Sequence, residues 1–253
     1  MNRFGVADLP GKPLPLPDSR WLRNYTEPSA AYRVAKRCLD CCVAIVLLVL
    51  FSPLMAMVAL LIVLDSRGPV FFCQERVRSV QRPREVGGRR QPKTFTLYKF
   101  RSMLAGNDAK VHRDFVEAFI RNDRERMEST PAEGVCARKL TRDPRVTRVG
   151  RIIRKLSLDE LPQLWNVIRG DMSMVGPRPA LVYEIERYSF WQLRRLEAKP
   201  GLTGLWQVTA RSSVDFADMV RLDIWYIDHQ SLWLDLAILL RTPVAVLSCK
   251  GAL

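Results

Sequence analysis

From residue 41 to residue 64 the chain carries no charge and almost no polar side chain, a run of 24 residues long enough to enter a bilayer. Ser52-Pro53 divides it into legs of about 12 residues, each reaching only ~18 Å against a ~30 Å hydrocarbon core. Lys36 and Arg37 precede the run, and Arg67, Arg76 and Arg78 follow it, so the positive-inside rule is met with both ends on one side. The pattern predicts a re-entrant helix-break-helix over residues 31–66, with a kinked spanning helix as the alternative. Beyond it the period shortens. Residues 70–77 and 94–100 are rich in β-branched and aromatic side chains and predict a hairpin, its basic connection containing Gly87-Gly88. Residues 104–127 mix charges of both signs and read as a solvated helix. Leu161, Leu164, Trp165 and Ile168 recur at helical spacing, and Gly170 supplies a stop. Residues 181–196 read as helix and 199–204 as a turn. Residues 215–240, with Trp225, Tyr226 and Trp233, read as core or as a helix at a lipid interface. Residues 1–30 hold Pro10, Pro13, Pro15 and Pro17 and read as an extended or disordered arm that lacks the apolar core of a signal peptide. The expected fold is α+β and mainly helical: an arm (1–30), a membrane segment (31–66), and one domain (67–253) with a small β-hairpin and surface amphipathic helices.

Charge narrows the partners. The net charge is +14, and it is clustered: residues 76–101 hold nine Lys or Arg against Glu85, and residues 138–155 hold eight against Asp143. Such a surface implies an anionic partner, whether acidic lipid, phosphorylated substrate or nucleic acid. Basic residues flanking a membrane segment favour the anionic cytoplasmic leaflet. Of six cysteines, Cys38, Cys41 and Cys42 open the apolar run, and no second pair or adjacent histidine completes a metal site around Cys38-x-x-Cys41. Reduced thiols fit a cytoplasm-facing protein.

Inside the basic surround, Asp159 and Glu160 stand side by side. Arg154 precedes them, and Arg178 follows in the stiff turn Gly176-Pro177-Arg178-Pro179. Arginines that hold an anion, beside a carboxylate that attacks or binds metal, are the equipment of phosphate chemistry. The plain alternative is a helix cap, because Ser157 followed three residues later by Glu160 fits the capping box. Pro162 sits most comfortably at a first helical position, which leaves the carboxylates just ahead of a helix N-terminus. The residues alone leave both readings open. Arg178 is the stronger anion candidate, its backbone fixed by prolines on both sides. Lys99, Arg101, Arg211 and Asp171 each have a plain alternative as surface charges, and His112 and His229 fall outside these motifs.

Four motifs then occur in one order: Y-K-F-R-S-M at 98–103, S-L-D-E-L-P-Q-L-W-N-V at 157–167, G-D-M-S-M-V-G-P-R-P at 170–179 and K-P-G-L-T-G-L-W-Q-V at 199–208. From about Lys36 onward the chain resembles the bacterial sugar transferases, the monotopic phosphoglycosyl transferases. It looks most similar to the undecaprenyl-phosphate hexose-1-phosphate transferases. The resemblance implies a cytoplasm-facing catalytic domain on the bacterial inner membrane, held by a re-entrant helix broken at Ser52 and Pro53. It implies transfer of hexose-1-phosphate from a UDP-hexose, galactose or glucose, to undecaprenyl phosphate with release of UMP. Asp159 is then the expected nucleophile and Glu160 its assistant, with Mg2+ held by both. Lys99, Arg101, Arg154, Arg178 and Arg211 are the expected phosphate contacts. The anionic membrane is a partner, nucleic acid is not expected, and a homodimer stays open. Two rival classes remain: a membrane-tethered nucleic-acid-binding protein, which has no use for the dyad, and a scaffold without catalysis, which explains only the anchor.

Overall fold

The structure, a computed structural model, describes residues 28–80, 92–104, 109–121, 123, 145–210 and 214–248. The Ser29 hydroxyl accepts from the Tyr32 N–H at 3.2 Å, and α1 then runs over Ala30–Asp65, 36 residues without interruption. The break expected at Ser52-Pro53 is therefore not a break in secondary structure. Proline cannot donate to the carbonyl four residues back, which is that of Val49. The Ser52 hydroxyl donates to that carbonyl at 2.8 Å and takes the place of the missing N–H. Among the described residues α1 is the one helix long and apolar enough to cross a membrane. Val46, Val49, Leu50, Leu60 and Leu64 along it are exposed.

Both ends of α1 are fastened to the same body. Near its start, Arg37 donates to the carbonyls of Val167 and Ile168 at 2.6 and 2.7 Å. The buried Asp40 accepts from the Ser173 hydroxyl at 2.7 Å and from the Met174 N–H at 3.0 Å. Lys36 and the Tyr32 hydroxyl meet the buried Asp235 at 3.1 and 2.8 Å. Near its other end, Val58 and Ile62 pack with Phe100 and Ile153, and Asp65 accepts from the Val149 N–H at 3.1 Å.

The expected hairpin is present: β1 (Phe71–Val80) pairs antiparallel with β2 (Pro92–Phe100), with an irregularity between Val77 and Ser79. Next come α2 (Ala109–Arg121), α3 (Arg148–Lys155), a 3-10 turn (Leu158–Glu160) and α4 (Gln163–Arg169), which ends at Gly170 in the left-handed region, φ 84°. Two expectations need correcting here. Residues 199–204 are not simply a turn, because β4 (Gly201–Thr203) lies parallel to β3 (Ser173–Val175). Residues 181–196 are not one helix but α5 (Val182–Ile185) and a second 3-10 turn (Gln192–Leu196).

The region 215–240 divides as well. After α6 (Leu205–Thr209), α7 (Phe216–Asp228) buries Phe216, Met219, Val220, Ile224, Tyr226 and Ile227 and forms core. Helix α8 (Leu232–Leu247) buries only Leu234, Asp235 and Ile238 and exposes Trp233, Leu240, Val244 and Leu247. The observed class is a mainly helical α+β fold with an exposed apolar face on α1 and α8.

Candidate active site

The carboxylate pair is presented by a reversal of the chain. Helix α3 stops, Ser157 adopts a left-handed conformation at φ 54°, and Leu158–Glu160 form one tight 3-10 turn. In such a turn residues three apart eclipse, so Leu158 and Leu161 share one side and both pack inward. Asp159 and Glu160 occupy the other two sides. The Ser157 side chain makes no capping hydrogen bond, which removes the capping-box reading of Ser157–Glu160. Pro162 stands immediately before α4, as its missing N–H favours.

Strand β2 supplies the cation. Phe95, Leu97 and Lys99 share a face by strand alternation, and the first two are buried in the main core. Lys99 lies where that core gives way to a cleft, its ammonium 2.9 Å from Glu160 Oε1 and 3.8 Å from Asp159 Oδ2. The buried Asn166 of α4 holds strand and dyad in register: its Oδ1 accepts from the Tyr98 N–H at 3.1 Å, and its Nδ2 donates to the Thr96 carbonyl at 2.7 Å.

Arg76, Leu97, Lys99, Glu160, Gln163, Arg178, Pro179, Gly201, Leu202 and Gln207 line the cleft. Among the described residues Arg178 has no ion pair or side-chain hydrogen bond, and its guanidinium is available to an anion. Arg154, in the last turn of α3, lowers the Asp159 pKa electrostatically. Arg101 has a different task from the one expected. It is buried and donates to the carbonyls of Arg67, Ser66 and Ile62 at 2.7, 2.6 and 3.4 Å, closing the C-terminus of α1. Asp171 faces Arg169 at 3.3 Å and Arg78 at 3.8 Å just past the helix stop. His229 stacks on Trp225, and its Nδ1 lies 2.8 Å from that residue's carbonyl. Arg211 and the side chain of His112 lie outside the described residues.

Sequence reasoning passed over Arg76, Gln163, Asn166 and Gln207. Arg76 is buried beneath the Gly-Pro-Arg-Pro turn, donating to the Pro179 carbonyl at 2.9 Å and twice to Gln74. Burial brings it down to about 10, so it stays charged at neutral pH. Periodicity gives no signal for the two in α4, because Gln163 and Asn166 lie off the stripe of Leu161, Leu164, Trp165 and Ile168 and are buried by tertiary packing.

The two carboxylates are driven apart. Burial raises Asp159 above its ordinary value and outweighs the pull of Lys99, and the negative charge of Glu160 adds to the rise. Burial would raise Glu160 as well, but Lys99, Arg178 and Arg76 together hold it below its ordinary value. A pair separated in this way assigns different roles to its members. Two carboxylates suit Mg2+, which commonly takes one or two from protein and completes its shell with water and phosphate oxygens. Among the described residues no group of three or more His, Cys, Asp or Glu forms an all-protein cage.

The site is thus a cleft lined by Lys99, Arg76, Arg178 and Glu160, with Asp159 beside Lys99, on a body fastened to the apolar helix α1. The chain belongs to the bacterial sugar transferase family, whose profile matches residues 31–249. It is 42% identical over 220 residues to the undecaprenyl-phosphate galactose phosphotransferase of Salmonella typhimurium, covering 87% of this chain and 42% of that protein. It is 41% identical over 219 residues to the exopolysaccharide production protein ExoY of Rhizobium meliloti, covering 87% and 88%. It is 40% identical over 220 residues to the UDP-galactose-lipid carrier transferase of Erwinia amylovora, covering 87% and 42%. The chain thus spans less than half of the Salmonella and Erwinia relatives and most of ExoY.

Proposed function

We propose that this protein transfers hexose-1-phosphate from a UDP-hexose, galactose or glucose, to undecaprenyl phosphate and releases UMP, the opening step of a polysaccharide assembly. The observation that carries the reading is the Lys99-bridged pair Asp159 and Glu160 beside Arg178 and Arg76. Two anionic substrates must meet here, and these cations neutralise them before a carboxylate approaches phosphorus. An Asp159 oxygen attacks the phosphorus that bears the sugar. The bond from that phosphorus to the oxygen bridging the two phosphates breaks, and UMP leaves with the electron pair. A lipid phosphate oxygen then attacks the same phosphorus, the bond to Asp159 breaks, and the carboxylate is restored. Glu160, held ionised, keeps Lys99 in place between the pair. Magnesium, held by Asp159 and Glu160 when bound, would neutralise the diphosphate oxygens.

UMP release from UDP-galactose and UDP-glucose, with and without undecaprenyl phosphate, tests this. With donor alone, UMP equal to the enzyme present and labelled sugar phosphate on Asp159 are expected. Continuous UMP release only when the lipid is present, with no adduct, would replace the covalent route by direct displacement.

The same reading puts both ends of α1 on the cytoplasmic face. Its two ends are bonded to one body while the apolar flank between them is exposed, which supports a helix that enters and leaves the same leaflet. Single cysteine labels before Lys36 and after Asp65 are expected to react from the same side. Labels on opposite sides would make α1 a span.

A further inference from the structure

We propose that Gln207 selects the sugar of the donor, its amide oxygen accepting a hydrogen bond from one hexose hydroxyl; this rests on the donor and reaction proposed above. The cations of the cleft, Lys99, Arg76 and Arg178, suit anionic oxygens. Those belong to the diphosphate, which every UDP-sugar shares. Telling one sugar from another takes a neutral group of directed geometry next to the phosphate.

Gln207 lines the same cleft as Lys99 and Glu160. Its Oε1 is buried and has no hydrogen-bond partner, although Lys99 and Arg178 border the cleft with it. Buried carbonyl oxygens are nearly always paired, so this one calls for a donor that the chain does not supply. An ionised phosphate has no proton to offer. A hexose offers several hydroxyls, joined through one oxygen to the phosphorus that Asp159 attacks. The nucleotide carries donors of its own, the two ribose hydroxyls and the uracil N–H, but the diphosphate separates all of them from the sugar. Gln207 shares its cleft with Glu160, the neighbour of the attacking Asp159, and on this proposal it faces the sugar rather than the nucleotide.

The fold fixes where that oxygen sits. Leu205 and Trp206 of α6 are buried, the Val208 N–H bonds the Gly204 carbonyl at 3.2 Å, and the Thr209 hydroxyl bonds the Leu205 carbonyl at 2.8 Å. A Cβ on Gly204 would stand 2.5 Å from the Gly176 carbonyl oxygen and 3.1 Å from Gln207 Oε1. Glycine there lets the two loops approach and leaves the amide room.

Kinetics of the parent and of Gln207→Met, with UMP as a competing inhibitor, test the proposal. The substitution keeps length and removes the acceptor. The expected result is a fall in kcat/KM for the preferred UDP-hexose of about tenfold to a hundredfold, with UMP inhibition unchanged. The retained inhibition also reports a folded site. Monodeoxy UDP-hexoses sharpen the test: the parent loses a similar factor with one analogue, and for that analogue Gln207→Met costs nothing more. UMP inhibition that weakens in step with kcat/KM would put Gln207 on the nucleotide and overturn the proposal. So would an unchanged kcat/KM, or a parent indifferent to every single hydroxyl, a result that needs no variant. A parent inactive with every UDP-hexose overturns the proposed reaction itself, whereas the variant-to-parent ratio judges Gln207.

Discussion

Among the clusters that set carboxylates beside cations in this protein, two are built on opposite plans. In the first, Asp223 and Arg195 meet at 2.7 Å, both side chains 2% exposed. The guanidinium lies 5.9 and 5.7 Å from the ring centres of Tyr188 and Phe216, and the Tyr188 hydroxyl donates to Glu184 at 2.8 Å. Arg195 is held above its usual value because Tyr188, Asp223 and Glu184 together outweigh its burial. Asp223 draws on Arg195 alone, and burial pushes it up to about 6. In the second, one ammonium is shared by Asp159 and Glu160, and Arg178 stands by with no side-chain partner among the described residues. The first cluster balances its charges within the chain, although Arg195 Nε and Asp223 Oδ2 make no hydrogen bond, and it joins the 3-10 turn at Gln192–Leu196 to α7. The second leaves its charge balance to a ligand. Burial of charge by itself says little about function; the informative difference is whether the partners are all supplied by the chain.

The largest effect expected from that difference is at Asp159. Asp159→Asn keeps the shape of the turn and replaces a carboxylate nucleophile by a neutral amide. Turnover is expected to fall by about 10⁴-fold or more with the thermal midpoint unchanged, measured as UMP release per folded enzyme. Substantial lipid-linked product from Asp159→Asn would leave the dyad no more chemical than the Asp223–Arg195 pair.

The closed cluster predicts the opposite signature. Arg195→Met strands Asp223 in the core and is expected to cost about 3–5 kcal/mol of stability, read as a lower unfolding midpoint. Turnover per folded molecule should hold. Adding Asp223→Leu removes the stranded charge and should restore much of the loss. Failure of that rescue would mean that Arg195 acts through its ring contacts rather than through the pair.

An intermediate effect is expected at Arg178. Lysine keeps the charge and loses the planar fork that grips two phosphate oxygens. Arg178→Lys should lower kcat by about 10²-fold and leave melting and membrane association as they were. Equal activity in parent and variant would reduce the Gly-Pro-Arg-Pro turn to a structural element beside Arg76.

How much of this was legible in the sequence depends on the range of the interaction that fixes each part. The hairpin and the stop at Gly170 follow from local pattern and were read correctly. Ser157 leaves the cap open as an alternative in the sequence, because the pattern does not fix backbone conformation, and here the residue is left-handed and caps nothing. The strand at Gly201–Thr203 is three residues long, too short for alternation, and is set by its pairing with β3. Arg101 resembles Lys99 in Y-K-F-R, and alternation would put both on one face, yet β2 ends at Phe100 and Arg101 turns to the end of α1 while Lys99 faces the cleft. Helices α7 and α8 read alike by composition. Only tertiary packing separates the buried helix from the one whose Trp233 and Leu240 stay uncovered. Lys99, Glu160 and Arg178 come together over 79 residues of chain, and spacing alone does not encode that meeting.

The smallest expected effect is a shift along the pH axis, and it asks whether Lys99 serves the dyad as Arg195 serves Asp223. Asp159 must be ionised to attack, so activity is lost as pH falls through its pKa. Burial has raised that pKa, which places the acid limb of kcat above the ordinary aspartate range. Lys99, 3.8 Å away, pulls it down. Lys99→Met removes the pull, so the limb should move to higher pH. Lys99→Arg, which keeps the charge, should leave it near the parent position. At a pH well above the limb the shift alone costs little rate, so the readout is the position of the limb and not the height of the plateau. A limb that stays in place in Lys99→Met would mean that Arg154 and the remaining cations set the ionisation of Asp159, and that Lys99 is spent on Glu160.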